Sequence, residues 1–365
     1  MANWRDYYLA SSQSVTDSGS YTWQIPPGLK ITDIDIVYSS TNGATSNTVG
    51  KICGMVSSIQ VLNGSDVLAS LSGTEAQAYF AFNGRSDNAK FPRKILTAAA
   101  AGVVYESFPL LFGRFYRDPL YYLDTSRYSS PQIRVNHAVT ISATAGFATG
   151  TTTVTIILHL IDSNAPPYAG FMMVKELAQF QSSASGIYSQ ELPLDWPYAA
   201  LMVQALKTTV DPTTILTNFK LTANYDGYIP YNNAAADVAA QNLHQYGRQF
   251  EEFVPLSDTT FTWLSDVYYK SSAWPAIAGA TGKMNISSVT GESVVGTFTT
   301  GQAAGTMKVE VNGGCPQACF YLPIGDGDTP TDYLNPTQGI NDLRLLLTQG
   351  VASAACTVVT AQLRQ

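Results

Sequence analysis

Charge is what this chain has least of. Asp, Glu, Lys and Arg make up 13% of its 365 residues, about half the usual share. A coiled coil needs far more Glu, Lys and Arg in heptads, so that class is excluded. Disorder is excluded from the other side, because Phe, Tyr and Trp reach 11%. The balance is acidic, at −7, which argues against a general binder of nucleic acid, since that needs cations to displace counterions from phosphates. Cysteine is scarce too: Cys53, Cys315, Cys319 and Cys356 are too few and scattered for a disulfide scaffold. No run of 18 apolar residues occurs, and the best candidate, 154–161, is interrupted by His159. Trp4, Arg5 and Asp6 stand where a signal peptide needs an apolar stretch, which predicts synthesis and folding in the cytoplasm.

What the chain does have is a period of two. Ile34, Ile36 and Tyr38 alternate with Asp33, Asp35 and Val37, and Val154, Ile156, Leu158 and Leu160 share one face of another stretch. Met307, Val309 and Val311, and Leu343, Leu345 and Leu347, repeat the pattern. These are strands with one face in a core, separated by turn pairs such as Asn63-Gly64 and Asp226-Gly227. Helical spacing is confined to four short segments, 4–9, 74–82, 171–180 and 234–246. Many strands and few helices predict an all-β sandwich architecture.

The sequence also resembles itself. The helical segment at 4–9 is followed by a strand ending at Ile25-Pro26; the one at 171–180 is followed by a strand ending at Leu192-Pro193, 167 positions on. Asn63-Gly64 precedes a helix closing at Gly84-Arg85, as Asp226-Gly227 precedes one closing at Gly247-Arg248. Phe108-Pro109-Leu110 then matches Phe320-Tyr321-Leu322, Tyr122-Leu123-Asp124 matches Tyr333-Leu334-Asn335, and Ile133-Arg134-Val135 matches Leu343-Arg344-Leu345. The division is therefore into 1–165 and 166–365, each half opened by a short helix. Arg85 and Phe108 are 23 positions apart, whereas Arg248 and Phe320 are 72 apart, so the second half carries about 49 extra residues, placed near 270–306.

Catalytic machinery is hard to find. His137, His159 and His244 have no metal-like partner at i+3 or i+4, and no phosphate loop or nucleophile elbow occurs. Cys315 and Cys319 form one pair without a second, which reads as two thiols bracketing a turn rather than a zinc site. An acidic run holds Asp326, Asp328 and Asp332, hard oxygen ligands that could hold calcium, although the glycine and closing glutamate of an EF-hand loop are missing. Ordinary turn capping is the other reading of that run. The chain is read as a non-enzyme with no resident cofactor.

Two successive sandwiches, each with one internal helix, resemble the double-jelly-roll major capsid proteins of the tectivirus, corticovirus and adenovirus lineage. The likeness is closest to those of lipid-containing bacteriophages. It is carried by residues 21–38 with their Pro26-Pro27-Gly28 turn, by Ile59-Gln60-Val61-Leu62-Asn63-Gly64, by Ala101-Gly102-Val103-Val104, and by Asn341-Asp342-Leu343-Arg344-Leu345. The resemblance implies two tandem eight-stranded jelly rolls. It implies a homotrimer of pseudo-hexagonal outline that joins neighbouring capsomers, penton and minor capsid proteins in an icosahedral virion. It also implies an internal membrane and no direct contact with nucleic acid. On that reading Trp4, Tyr7 and Tyr8 of the first opening helix and Phe171, Met172 and Val174 of the second are candidates for the membrane-facing base. Packing of those faces on the chain itself or on a neighbouring subunit is the competing reading. Low charge suits a protein buried among its own copies, because interfacial ions carry a desolvation cost that Ser, Thr and Asn largely avoid. A two-domain β-sandwich carbohydrate-binding or adhesin protein remains the alternative.

Overall fold

A computed structural model describes residues 3–44, 47, 50–84, 94–95, 102–142, 146–254, 260–277, 284–290, 293–298, 307–325 and 329–365. The first half runs β1 (Asn3–Ser14), β2 (Ser18–Gln24), β3 (Lys30–Thr41), α1 (Ile52–Met55), β4 (Val56–Asn63), β5 (Asp66–Leu71), α2 (Gly73–Asn83), β6 (Lys94–Ile95), β7 (Val103–Leu111), β8 (Leu123–Asp124), β9 (Pro131–Ala138) and β10 (Thr153–Ser163). The second half opens with β11 (Phe171–Gln181), β12 (Ile187–Glu191), β13 (Tyr198–Leu206), α3 (Pro212–Ile215), β14 (Leu216–Ala223), β15 (Tyr228–Ala234) and α4 (Ala235–Tyr246). It continues through β16 (Gln249–Val254), β17 (Thr260–Leu264), β18 (Val267–Ile277), β19 (Met284–Thr290), β20 (Ser293–Phe298) and β21 (Met307–Pro316). It closes with β22 (Cys319–Pro323), β23 (Leu343–Gln349) and β24 (Ala355–Arg364).

Both halves are wound in the same order. In the first, β1-β10-β3-β7 forms one sheet and β2-β9-β4-β5 the other; in the second, β11-β24-β13-β22 stands opposite β12-β23-β14-β15. Each sandwich thus has two four-stranded antiparallel sheets whose order departs from chain order in the same way. That is the winding of a jelly roll. One core gathers Ile34, Ile36 and Tyr38 of β3, Ile59 and Val61 of β4, and Ile133 and Val135 of β9. The other gathers Leu201 and Val203 of β13, Phe219 and Leu221 of β14, and Leu345 and Leu347 of β23.

The halves share a sheet. Strands β5 and β11 meet in parallel at Ser70 and Lys175, so β2-β9-β4-β5 continues into β11-β24-β13-β22. The latter sheet is consequently buried on both faces. Leu201 and Val203 point into the second core, while Ala200, Met202, Val359 and Ala361 belong to the first. This explains why β13 reads as a nearly continuous apolar run without alternation. Helix α2 lies in the same junction. Ser72 caps it by accepting from the Glu75 amide, and the Glu75 carboxylate accepts in turn from the Ser72 amide. Its Phe82 stacks on Tyr321 at 5.2 Å, and the Tyr321 hydroxyl donates to Asn83 Oδ1 at 2.9 Å. Polar bonds cross as well: Gln317 Nε2 donates to Gln77 Oε1 at 2.8 Å, and Lys51 pairs with the fully buried Asp266 at 2.9 Å.

Two expectations are corrected here. Residues 4–9 and 171–180 are not helices but the strands β1 and β11. Both carry bulges, between Tyr8 and Ala10, between Ala10 and Gln13, and between Glu176 and Ala178. Each bulge adds a residue to the alternation, so apolar positions fall three or four apart and imitate a helix. The extra residues of the second half also begin earlier than 270. New strands start at Gln249, directly after α4, and form the sheets β18-β21-β16-β6 and β17-β20-β19. The helices at 74–82 and 234–246 stand as α2 and α4.

Phe219 has no exposed surface and its ring lies 4.9 Å from that of Phe320. Phe219→Ala should lower stability by about 3–5 kcal/mol in urea denaturation, the cost of lost burial plus a cavity.

Candidate functional site

Of the residues proposed for a membrane-facing base, three are withdrawn. Phe171, Met172 and Val174 lie in the first hydrophobic core with at most 2% of their surface exposed, because the first half covers this end of β11. Trp4 and Tyr8 are exposed, at 37% and 60%, and Tyr7 packs partly against the core. The residues Asp326 and Asp328 lie outside the described residues; Asp332 ends a 3-10 turn of residues Pro330–Asp332, its amide donating to the Thr329 carbonyl. Among the described residues no group of three His, Cys, Asp or Glu could hold a metal ion. Cys315 and Cys319 do bracket a turn, and all four cysteines are buried free thiols. His137 is structural: the Tyr38 hydroxyl lies 3.0 Å from Nδ1 and the Thr16 carbonyl 2.8 Å from Nε2.

The structure assembles one constellation that sequence reasoning left scattered. Alternation on β3 sends Ile34 and Ile36 into the core and turns Asp33 and Asp35 to the outer face of the sheet. On β10, His159 stands directly opposite Asp33. Edge strand β1 then places Asp6 opposite His159. The result is an imidazole between carboxylates, with Nδ1 2.7 Å from Asp6 and Nε2 3.1 Å from Asp35 and 3.7 Å from Asp33. Arg117, from the loop after β7, reaches Asp6 at 3.2 Å, and the Tyr116 hydroxyl lies 3.2 Å from His159 Nε2.

Electrostatics explains the protonation of this group. Burial alone would lower the His159 pKa, but hydrogen bonds to Asp35 and Asp6 and the charge of Asp33 outweigh it and raise it to about 9. His159 is therefore an imidazolium at neutral pH, with both ring nitrogens donating. Asp33 is pushed up to about 6, chiefly by burial, against the opposing hydrogen bond from Thr32 and the charge of His159. Its Oδ1 finds no hydrogen-bond partner among the described residues, which disfavours the charged form in the same direction. The chemistry available is electrostatic pinning. Three acids, one imidazolium and one guanidinium fasten an edge strand, and no nucleophile stands among them. The only sequence sign was two aspartates alternating with isoleucine in a chain poor in charge.

A groove of about 620 Å³ opens in the second half, between Tyr228, Tyr231, Tyr333, Leu334 and Ile340. The matching segment of the first half, Tyr122-Leu123-Asp124, is covered. There the Tyr122 hydroxyl donates to the Pro166 carbonyl at 2.9 Å, and the Tyr168 ring stands 5.5 Å away. The hairpin beside the groove carries three successive residues with positive φ, Asn224, Tyr225 and Asp226, and its Tyr225 is 80% exposed.

No protein-family model matches this chain, and neither does any curated protein. Solved structures do match. The major capsid protein of STIV, the Sulfolobus turreted icosahedral virus, superposes with a TM-score of 0.59 at 12% identity, over 98% of this chain and 96% of that one. For the major capsid protein of bacteriophage PM2 the TM-score is 0.55 at 12% identity, over 100% and 98%. The PBCV-1 protein VP54, as fitted into a reconstruction of the virophage Sputnik, gives 0.56 at 11%, over 99% and 94%. The chain shares their fold from end to end: it is a double jelly roll.

Because the folded-state pKa of His159 lies above its ordinary 6.5, the stability it contributes is complete below about pH 6.5 and is lost as pH rises through about 9. Denaturation measured across that window should show a fall of roughly 1–3 kcal/mol, at about 1.4 per pKa unit and with screening at the half-exposed Asp6. His159→Gln should be less stable at pH 6.5 and should flatten the slope.

Proposed function

We propose that this chain is the major capsid protein of a non-enveloped icosahedral virus, a structural rather than catalytic protein that works by binding copies of itself. The observation that carries this reading is the doubled jelly roll, matched over nearly the full length of both chains by capsid subunits that build shells. Two similar domains per chain give six similar wedges in a trimer, and such a unit tiles a lattice of six-fold neighbours. The acidic balance of −7 suits a shell that needs no basic lining for a genome. Penton and minor capsid proteins would complete the shell at positions a pseudo-hexagonal unit cannot fill. A lipid layer beneath the shell belongs to the same reading, and so does a virion location after synthesis in the host cytoplasm.

Light scattering of the purified protein should give three times the 39.3 kDa chain mass, and negative-stain images should show a hexagonal outline. A monomer that binds glycans would overturn the proposal in favour of the carbohydrate-binding alternative. Fatty-acid and phosphate analysis of purified particles should find lipid; its absence would remove the membrane from the reading and leave assembly standing.

A further inference from the structure

The junction between the halves brings an amine and a buried carboxyl into contact. Lys51, just before α1, sends its Nζ to Asp266 Oδ1 at 2.9 Å and to the Ser265 carbonyl at 3.0 Å. Asp266 has no exposed surface, and only 16% of the Lys51 side chain is exposed. The two residues are 215 positions apart, one in each half. A second acid stands at the same turn. Glu251 of β16 is fully buried, and its Oε2 accepts from the Asp266 amide at 2.6 Å.

Both partners are held in place through their backbones. The Asp266 carbonyl accepts from the Gln317 amide at 2.7 Å, so this residue is fixed on both sides of its side chain. On the other side, the two amides that follow Lys51 donate to the two oxygens of Glu106, Ile52 at 3.0 Å and Cys53 at 2.8 Å. Reacting groups held this way meet at an effective concentration of roughly 10⁵ M or more. A permanent ion pair is a poor occupant of such a place, because desolvating two charges cancels much of their attraction. Proton transfer along the Lys51–Asp266 hydrogen bond gives a neutral amine and a neutral acid. That is the form burial favours, and it is the form that can condense.

We propose that Lys51 and Asp266 join in an intramolecular isopeptide bond, a covalent tie between the two halves, with Glu251 as the proton carrier. The Lys51 amine attacks Cγ of the protonated Asp266 carboxyl. A C–N bond forms, a C–O bond breaks, and the Asp266 hydroxyl leaves as water. Glu251 takes the surplus proton from the nitrogen and delivers it to that hydroxyl, ending as it began. Two ionisable groups become one neutral amide, and nothing is oxidised or reduced. The bond goes beyond the assembly reading and is independent of it, since it lies within one chain.

Full-length protein, kept folded at neutral pH and then denatured, should have an intact mass one water below that of its sequence. Trypsin should leave the bond after Lys51 uncut and release one branched peptide joining the Lys51 and Asp266 segments. The branched peptide is the decisive readout, because cyclisation at Asp226-Gly227 also loses one water. Lys51→Arg keeps the cation but lacks the nucleophilic amine, so it should give two separate peptides with an unchanged circular dichroism spectrum. Glu251→Gln should slow linking by roughly tenfold or more, and Glu251→Asp should restore part of the rate. Linking at the wild-type rate in Glu251→Gln would overturn the role given to Glu251. Two unlinked peptides from the wild-type chain after prolonged incubation would overturn the bond and leave an ion pair, whether or not the variants fold.

Discussion

The double burial of one sheet is the constraint on which the rest of the molecule depends. Strands β11, β24, β13 and β22 serve two cores at once, so their side chains must be apolar on both faces and small enough to let the halves approach. Ala199, Ala200 and Ala361 meet that second condition. Among the described residues, polar groups that enter the junction are paired, as in the Gln317–Gln77 bond and the Lys51–Asp266 ion pair, since an unpaired buried charge would cost several kcal/mol. The halves therefore form one body through a shared wall.

That constraint also decides how much of the fold could be read from the sequence. Strands with one wet face, such as β3 and β10, announce themselves by alternation. The repeat was legible because turns and strand starts keep their offsets even where side chains differ. The β9 and β23 segments found at Ile133-Arg134-Val135 and Leu343-Arg344-Leu345 hold the same place in their sheets. Reading failed at β1 and β11, where bulges break the period of two, and where residues 171–174 are apolar on both faces. Local spacing there carries a helical signal that only sheet pairing overrides. The start of the extra strands at Gln249 was missed for a different reason: composition shifts toward Ala, Gly and Ser only later, while Gln249–Val254 still reads like the strand pattern before it.

The candidate site was legible in pieces. Asp33 and Asp35 stood out as polar positions of a strand, but nothing in one dimension says that β10 and β1 will bring His159 and Asp6 onto them from 124 and 27 residues away. A chain with so few charges nonetheless concentrates four of them around one imidazole. The cluster sits on the one sheet face whose twin in the other half is dry. The matching sheet position holds an alanine pair, Ala200–Ala361, in one half and an aspartate–histidine pair, Asp33–His159, in the other.

Strand β24 is the last in chain order, yet it lies between β11 and β13 at the centre of the shared wall. Nearly 150 residues separate it from β13, so this pairing has high contact order and closes late. During synthesis the first half emerges with its apolar junction bare and waits for that strand before water is excluded. A nascent chain is therefore adhesive for most of its production and becomes inert toward its neighbours on one side only when the wall is sealed. Timing is thus written into the winding: the emergence of β24, rather than any ligand, seals the wall between the two halves.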